Sequence, residues 1–395
     1  MKLIISLFFI LLVLFPFGQL TKMPLSFLGI PEIHLYLIDI VLGLLIVFWL
    51  VWRFVFNKKP YTLPSLARPI FLFSLVSFLS LLVNLFNFSL NQILVGFLYW
   101  LRWFFYAGLY FVIADLKEKF VWLKKDLFCF LTIIGFMVGF FALVQYLIWP
   151  NLKVLEYLQY DPHFYRTAGT FLDPGFTGII LLLTIILITF RIWSNKGKKA
   201  VWIALWSLLY IVLALTYSRA SWLSFFVFGA LFAFYKKSLK FFFLIIGLLF
   251  LTWIFVPQPS GEGGNLQRTY SVVSRFGSYR QSFEIFSRKP ILGVGFNTYR
   301  YTQEQSGFFD NTDYDWQKSL SGAGVDNSLL FVLATTGILG LATYLWLLLK
   351  SLGNFKNEII VVSLVPILVH SLFLNSLFYI WVMIWFWLLL AKENS

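Results

Sequence analysis

Long apolar runs broken by short polar punctuation recur from one end of this chain to the other. A helix that crosses an apolar layer of about 30 Å needs roughly 20 residues, since each residue rises about 1.5 Å. Runs of that order lie near 3–19, 35–55, 69–86, 92–113, 127–149, 174–192, 200–216, 219–235, 240–256, 326–349, 358–373 and 375–391. Backbone inside a bilayer must bond to itself, so such runs predict helices. The pattern predicts an all-α integral membrane protein of about twelve transmembrane helices. Runs 200–216 and 219–235 are separated only by Tyr217 and Ser218, which predicts a tight hairpin, and the last two runs are separated just as tightly. No small-residue cleavage site follows the first run, Leu3–Phe17, so it reads as the first span and not as a signal peptide.

The polar punctuation is itself ordered. Alternate connections hold Arg53, Lys58, Lys59 and Arg68; Lys117, Lys119, Lys124 and Lys125; Arg191, Lys196, Lys198 and Lys199; Lys236, Lys237 and Lys240; and Lys350 and Lys356, 17 positive residues. The short connections on the other side hold only Lys22, Lys153, Arg166 and Arg219. Positive residues stay on the cytoplasmic side, which places the first set and both termini inside and makes the chain a multi-pass protein of a cytoplasmic membrane. Most of the formal charge of +14 is accounted for in this way. The lysines then read as topology signals and contacts to anionic lipid heads. Split into short loops, they form no nucleic-acid face. Composition agrees: 60% of the 395 residues are apolar and 12% charged, too few polar groups to cover a soluble fold. Spans recur with no long hydrophilic terminus, so residues 1–395 read as one polytopic domain. A single cysteine, Cys129, excludes an intramolecular disulfide, and with only His34, His163 and His370 scattered along the chain no metal site is expected.

One polar stretch is long. Residues 257–325 form a large extracytoplasmic loop in this topology, within which positive and negative residues nearly cancel. Its distinction is a preference for arginine (Arg268, Arg275, Arg280, Arg288 and Arg300, against Lys289 and Lys318) where the inner loops prefer lysine. Guanidinium is a planar fork of donors matched to phosphate oxygens. Residues 271–287 predict an amphipathic helix, with Val272, Phe276, Tyr279, Phe283 and Phe286 on one face and Arg275 and Arg280 on its flanks. An interfacial helix whose arginines meet lipid phosphates would show the same pattern.

Other polar residues fall at the same outer end. Arg219 opens a span, where a charge is costly unless matched. Arg166 precedes the chain's re-entry at Gly169–Gly175, and Asp326 and Asn327 open the tenth span, where either is also a helix cap. His370 lies near the outer end of the eleventh span. Arg102 differs, falling in mid-span, where it must face the protein interior; Asp39 is a candidate partner.

Four stretches resemble the O-antigen ligase and polymerase superfamily of bacterial envelope glycosyltransferases. RTAGTFLDPG (Arg166–Gly175) is similar to that family's Arg–Gly–Thr–Phe–x–x–Pro loop, and TYSRASW (Thr216–Trp222) to its Ser-Arg span start. Arg275 through Gly295, with KPILGVGFNTY at its end, resembles the outer-loop helix and the Pro-x-x-Gly-x-Gly turn after it. Asp326-Asn327 followed by Gly337-Ile338-Leu339-Gly340 has the spacing of a His-Asn…Gly-x-x-Gly element. The resemblance covers roughly 160–345, and it departs at Asp326, where the family carries histidine.

The resemblance implies a glycan donor carried on polyprenyl pyrophosphate, an acceptor that is a glycan, lipid or protein, and a reaction with no metal or other cofactor. It further implies that Asp326, Arg219 and Arg275 form the catalytic set and that Arg280, Arg166 and Asn327 contribute to substrate binding; Arg102 and His370, outside the resemblance, join the binding set on their position in the spans alone. An aspartate beside arginines is ionised at neutral pH, a weaker base than imidazole. Two alternatives stay open on the residues alone. A polymerase would use the same chemistry, and a lipid-linked glycan transporter would centre on Arg102 at mid-membrane.

Overall fold

The computed structural model describes residues 1–24, 34–57, 61–158, 163–194, 198–256, 269–308, 324–355 and 357–393. Lys58, Lys59, Lys196 and Lys356 lie outside these residues, as do Arg268, Lys318, Glu262, Asp310, Asp313 and Asp315 of the long loop.

The fold is all-α, 82% helical. In chain order the helices are α1 (Lys2–Leu14), α2 (Leu37–Val51), α3 (Ala67–Val83), α4 (Leu90–Lys119) and α5 (Val121–Ile148). Next come α6 (Pro174–Trp193), α7 (Lys199–Ala214), α8 (Arg219–Lys236) and α9 (Leu239–Phe255). The long loop supplies α10 (Thr269–Arg288) and α11 (Tyr299–Gln305), and α12 (Ser328–Leu352), α13 (Glu358–Ser371) and α14 (Ile380–Glu393) complete the bundle. Strands β1 (Lys22–Pro24) and β2 (His34–Tyr36) pair antiparallel between α1 and α2.

Each of the twelve apolar runs is occupied by a helix, α1 to α9 and α12 to α14. Six helical segments (Lys2–Thr21, Leu37–Phe56, α4, α5, α6 and α12) are long and apolar enough to cross a membrane, and α3, α7, α9, α13 and α14 are shorter apolar helices. The chain is thus a membrane protein, and its packing follows from composition. Helix α6 is apolar all round and buried along nearly its whole length, packed against α5, α7, α8 and α13. Helix α9 buries only Ile245 and Thr252 and leaves Phe243, Phe250, Trp253 and Phe255 exposed, an outer surface suited to lipid.

Three details depart from the sequence pattern. The connection expected around Lys117–Lys125 shrinks to Phe120, because α4 continues through its charged turn. Buried Asp115 is matched there by Lys119 at 3.2 Å, Arg53 at 3.9 Å and the Trp49 indole N–H at 3.1 Å, so its charge need not end the helix. The last two helices are not joined tightly: residues 372–379 form a turn in which Ser376 meets His370. On α10, Phe276 and Phe283 are exposed, while Ser282 and Ile285 take the buried positions. Ser282 belongs there because its hydroxyl has partners, the Ser278 carbonyl at 2.7 Å and the Tyr299 hydroxyl at 3.0 Å. The side chain of Val272 lies outside the described residues.

Candidate functional site

The turn that launches α8 is assembled from two directions. Tyr217 adopts a left-handed conformation (φ 50°), which folds α7 back onto α8 within four residues. Ser218 caps α8 by accepting from the Ser221 N–H at 3.3 Å, and its own N–H donates to Thr216 Oγ1 at 3.2 Å. The loop after α5 docks on this turn: Arg166 Nε donates to the Thr216 carbonyl at 2.9 Å, and Thr167 bonds Leu215 and Val212. Gln145 holds the same loop by accepting from the N–H groups of Ala168 (3.0 Å) and Gly169 (3.1 Å). Arg166 is therefore buried and braces the turn. Arg219 is the first residue of α8, half-buried, with its cation at the positive end of the helix dipole.

A second arm comes from α10. Arg275 lies close enough to Arg219 and to His370 for its charge to act on both. Arg280, five residues on, points to the exposed side of α10 and is not brought to Arg219.

What fixes α10 is an interlock between the two glycine elements of the sequence. Helix α12 breaks at Gly337 (φ 67°, ψ −167°), and the turn after α10 fills the gap in its hydrogen-bond ladder. The N–H groups of Ile338 and Leu339 donate to the carbonyls of Pro290 (2.9 Å) and Ile291 (3.3 Å). In return Val294 and Gly295 donate to Ala334 (3.1 Å) and Thr335 (3.0 Å). A Cβ on Gly337 would sit 2.3 Å from the Ile291 carbonyl oxygen, and one on Gly293 2.4 Å from the Thr335 carbonyl carbon. Only glycine allows that approach. From α3, Ser80 and Asn84 add bonds to the Thr335 (2.7 Å) and Gly293 (3.1 Å) carbonyls.

The interlock sets the start of α12 beside α10. Of the two capping candidates, Asn327 is the cap, its Oδ1 accepting from the N–H groups of Leu329 (2.9 Å) and Leu330 (3.0 Å). Asp326 precedes it and is exposed. Asn327 Nδ2 and the Tyr279 hydroxyl both donate to the Leu372 carbonyl, which ties α10, α12 and the turn after α13 together. Burial raises the Tyr279 phenol, against an Asn327 hydrogen bond and the Arg275 charge, and Asp326 adds to the rise. Burial likewise pushes Tyr299 up to about 12, with Asp326 contributing. Tyr279 thus feels Arg275 and Asp326 at once. Its place on the apolar face of α10 does not suggest this role, although the four-residue spacing from Arg275 puts the two on one side of the helix.

His370 is fully buried, its Nε2 3.2 Å from Ser221 Oγ and its Nδ1 2.6 Å from Ser376 Oγ. Arg102 is elsewhere. Its guanidinium donates to Asp39 at 2.8 Å and to the His34 carbonyl, and it packs over the rings of Tyr99 and Tyr36. The ion pair with Asp39 forms as the mid-span position requires.

Comparison with curated proteins finds no match for this chain. A family model described as O-antigen ligase matches residues 203–345, from α7 into α12, a window that contains Arg219, Arg275, Arg280, Asp326 and Asn327 and excludes Arg102, Arg166 and His370. That match, over residues 203–345, supports membership of the O-antigen ligase superfamily.

Proposed function

We propose that this protein is a glycosyltransferase that moves a glycan from a polyprenyl-pyrophosphate carrier to an acceptor hydroxyl, at the outer face of a bacterial cytoplasmic membrane, with both termini in the cytoplasm. The family match supports ligase- or polymerase-like function in general. The observation that carries the finer reading is the convergence of Arg219 and Arg275 with Asp326 beside Tyr279 at one end of the bundle. Two guanidinium groups brought near each other by separate elements make a favourable setting for a dianion.

In this reading the acceptor oxygen forms a bond to the anomeric carbon while the bond from that carbon to the pyrophosphate oxygen breaks. The electron pair leaves with the lipid pyrophosphate, whose growing charge Arg219 and Arg275 receive. The acceptor proton passes to the Asp326 carboxylate. Arg166 braces the turn that carries Arg219. Arg280, on the outer side of α10, is left to the glycan or to lipid phosphates. Charge neutralisation falls to guanidinium, with no metal ion required. A transporter centred on Arg102 is the weaker reading, since Asp39 already matches that charge.

The test is reconstitution with a radiolabelled lipid-linked glycan and candidate acceptors, followed by product sizing. Transfer that survives both Arg219→Lys and Arg275→Lys at full rate would sink the pyrophosphate assignment, because lysine keeps the charge and loses the fork. Unchanged turnover in Asp326→Asn would remove the base. A single-step product shift indicates ligation, and a ladder indicates polymerisation.

A further inference from the structure

The two arms of the proposed site ride on different helices, and a chain of hydroxyls joins them through the interior. His370, Ser221, Ser376 and Ser328 are completely buried in otherwise apolar packing. Polar groups at that depth are costly unless bonded, so their arrangement is informative. Ser376 Oγ lies 2.6 Å from His370 Nδ1, and Ser221 Oγ lies 3.2 Å from Nε2. Ser221 then donates to Ser218 Oγ at 2.9 Å, the group that caps α8 immediately before Arg219. Toward the other arm, Leu377 N–H, next to Ser376, donates to Ser328 Oγ at 3.1 Å, directly after the Asn327 cap.

One tautomer satisfies the whole chain. Nδ1 accepts from the Ser376 hydroxyl, while Nε2–H faces Ser221 Oγ and the Gly175 carbonyl. The Ser221 hydrogen is then directed to Ser218. Helix α6 makes room: a Cβ on Gly178 would fall 2.3 Å from Ser221 Oγ, and one on Gly175 2.6 Å from the Leu374 side chain.

We infer that His370 is a positioning residue that touches no reacting atom and fixes the spacing of Arg219 relative to Asp326 through Ser221–Ser218 on one side and Ser376–Leu377–Ser328 on the other. This rests on the reading of Arg219 as part of the donor arm and Asp326 as the acceptor arm. A misplacement of about 1 Å is enough to cost on the order of 100-fold in rate, so a rigid internal spacer has kinetic value without contacting substrate.

The experiment compares His370→Leu, His370→Gln and Ser376→Ala in the purified full-length protein, with a lipid-linked glycan as donor. Turnover is normalised to the folded fraction. His370→Leu should lower kcat by about 10- to 100-fold while KM for the donor changes less than about three-fold. His370→Gln, which returns an amide donor toward Ser221, should recover much of that loss, and Ser376→Ala should fall between. Loss that merely tracks the folded fraction, unchanged kcat, or a glutamine variant no better than leucine each overturns the inference. If His370→Leu does not fold, Ser221→Ala and Ser376→Ala decide, since each removes one oxygen: a kcat deficit at constant KM supports the spacer, and wild-type kcat overturns it. Full turnover in Arg219→Lys and Asp326→Asn would instead defeat the underlying reading. Loss in those two with active His370 variants defeats only the positioning role.

Discussion

Arg102 and Arg275 are both arginines set against apolar helices, and their surroundings differ in kind. Arg102 is enclosed by its own matching groups: Asp39 takes its charge, the His34 carbonyl takes a further donor, and Tyr99 and Tyr36 cover it. Asp39 is itself completed by the Tyr106 hydroxyl at 2.8 Å and the Tyr36 N–H at 2.9 Å. Arg275 has no carboxylate within ion-pair distance among the described residues, and its charge acts on Arg219. The first region is closed on itself and contributes to folding. The second is held in place by backbone, through the Gly337 interlock. Buried charge completed within the fold reads as structure; juxtaposed like charge held rigidly reads as function.

The comparison breaks most visibly at Arg102. Arg102→Met leaves Asp39 buried and unmatched, which should cost about 3–5 kcal/mol of stability. Adding Asp39→Asn should restore more than half of the loss, since the pair then disappears together. Thermal unfolding in detergent reads both, and a single variant as stable as the parent would mean that Arg102 is not part of the closed region. Arg275→Lys should do the opposite. Its unfolding midpoint should stay close to that of the parent while kcat falls by about 100- to 1,000-fold, the magnitude expected when one preorganised donor to a developing anion is lost. A destabilised but catalytically normal Arg275→Lys would make the two regions alike and end the contrast.

Much of this contrast was legible in the residues. Arg219, Arg275, Asp326 and Asn327 were visible because charge and amide groups at the ends of apolar runs are uncommon and carry their own motif spacing. Arg102 announced a need for a partner through its depth alone. Which way the apolar face of α10 points was not legible, because an apolar residue in a membrane protein has two environments to choose from. Phe276 and Phe283 are exposed, and Ser282 is buried against Tyr299. The length of α4 was misread because hydropathy stops at Asp115, whereas the helix continues once Arg53 and Lys119 match that charge. The role of Tyr279 and the Ser221–His370–Ser376 chain depend on how α8, α10 and α13 stand in space, and no spacing along the sequence encodes that.

The Gly337 interlock sharpens the comparison from the side of the backbone. At φ 67° and ψ −167°, Gly337 occupies a region reserved for glycine, and a Cβ would meet the Ile291 carbonyl oxygen at 2.3 Å. Gly337→Ala should cost about 1–3 kcal/mol through backbone conformation alone. It should also loosen the hold of α12 on the end of α10, so that activity falls further than stability accounts for. The nearby Gly277, with open space around its Cβ position, is the control: Gly277→Ala should leave stability within about 0.5 kcal/mol. Equal effects of the two alanines on activity would mean that the interlock does not position Arg275.

The smallest effect belongs to the border of the closed region, at His34 on β2. Burial, with the cations of Lys22, Arg102 and Arg300 acting in the same direction, holds this imidazole down to about 4. Its ring is therefore neutral in the folded protein throughout the physiological range. In the unfolded chain the same group takes up a proton near its ordinary value of about 6.5. The unfolded state thus binds more protons between roughly pH 6.5 and pH 4, and the stability present above that window drains away as pH falls through it. The unfolding midpoint of the parent should decline across the window. His34→Asn, which cannot titrate, should flatten part of that decline without altering the plateau near pH 7.5 by more than about 1 kcal/mol. An identical pH profile in parent and variant would show that neither burial nor the three cations around β2 hold His34 neutral, and the closed region would then end at the Arg102–Asp39 pair.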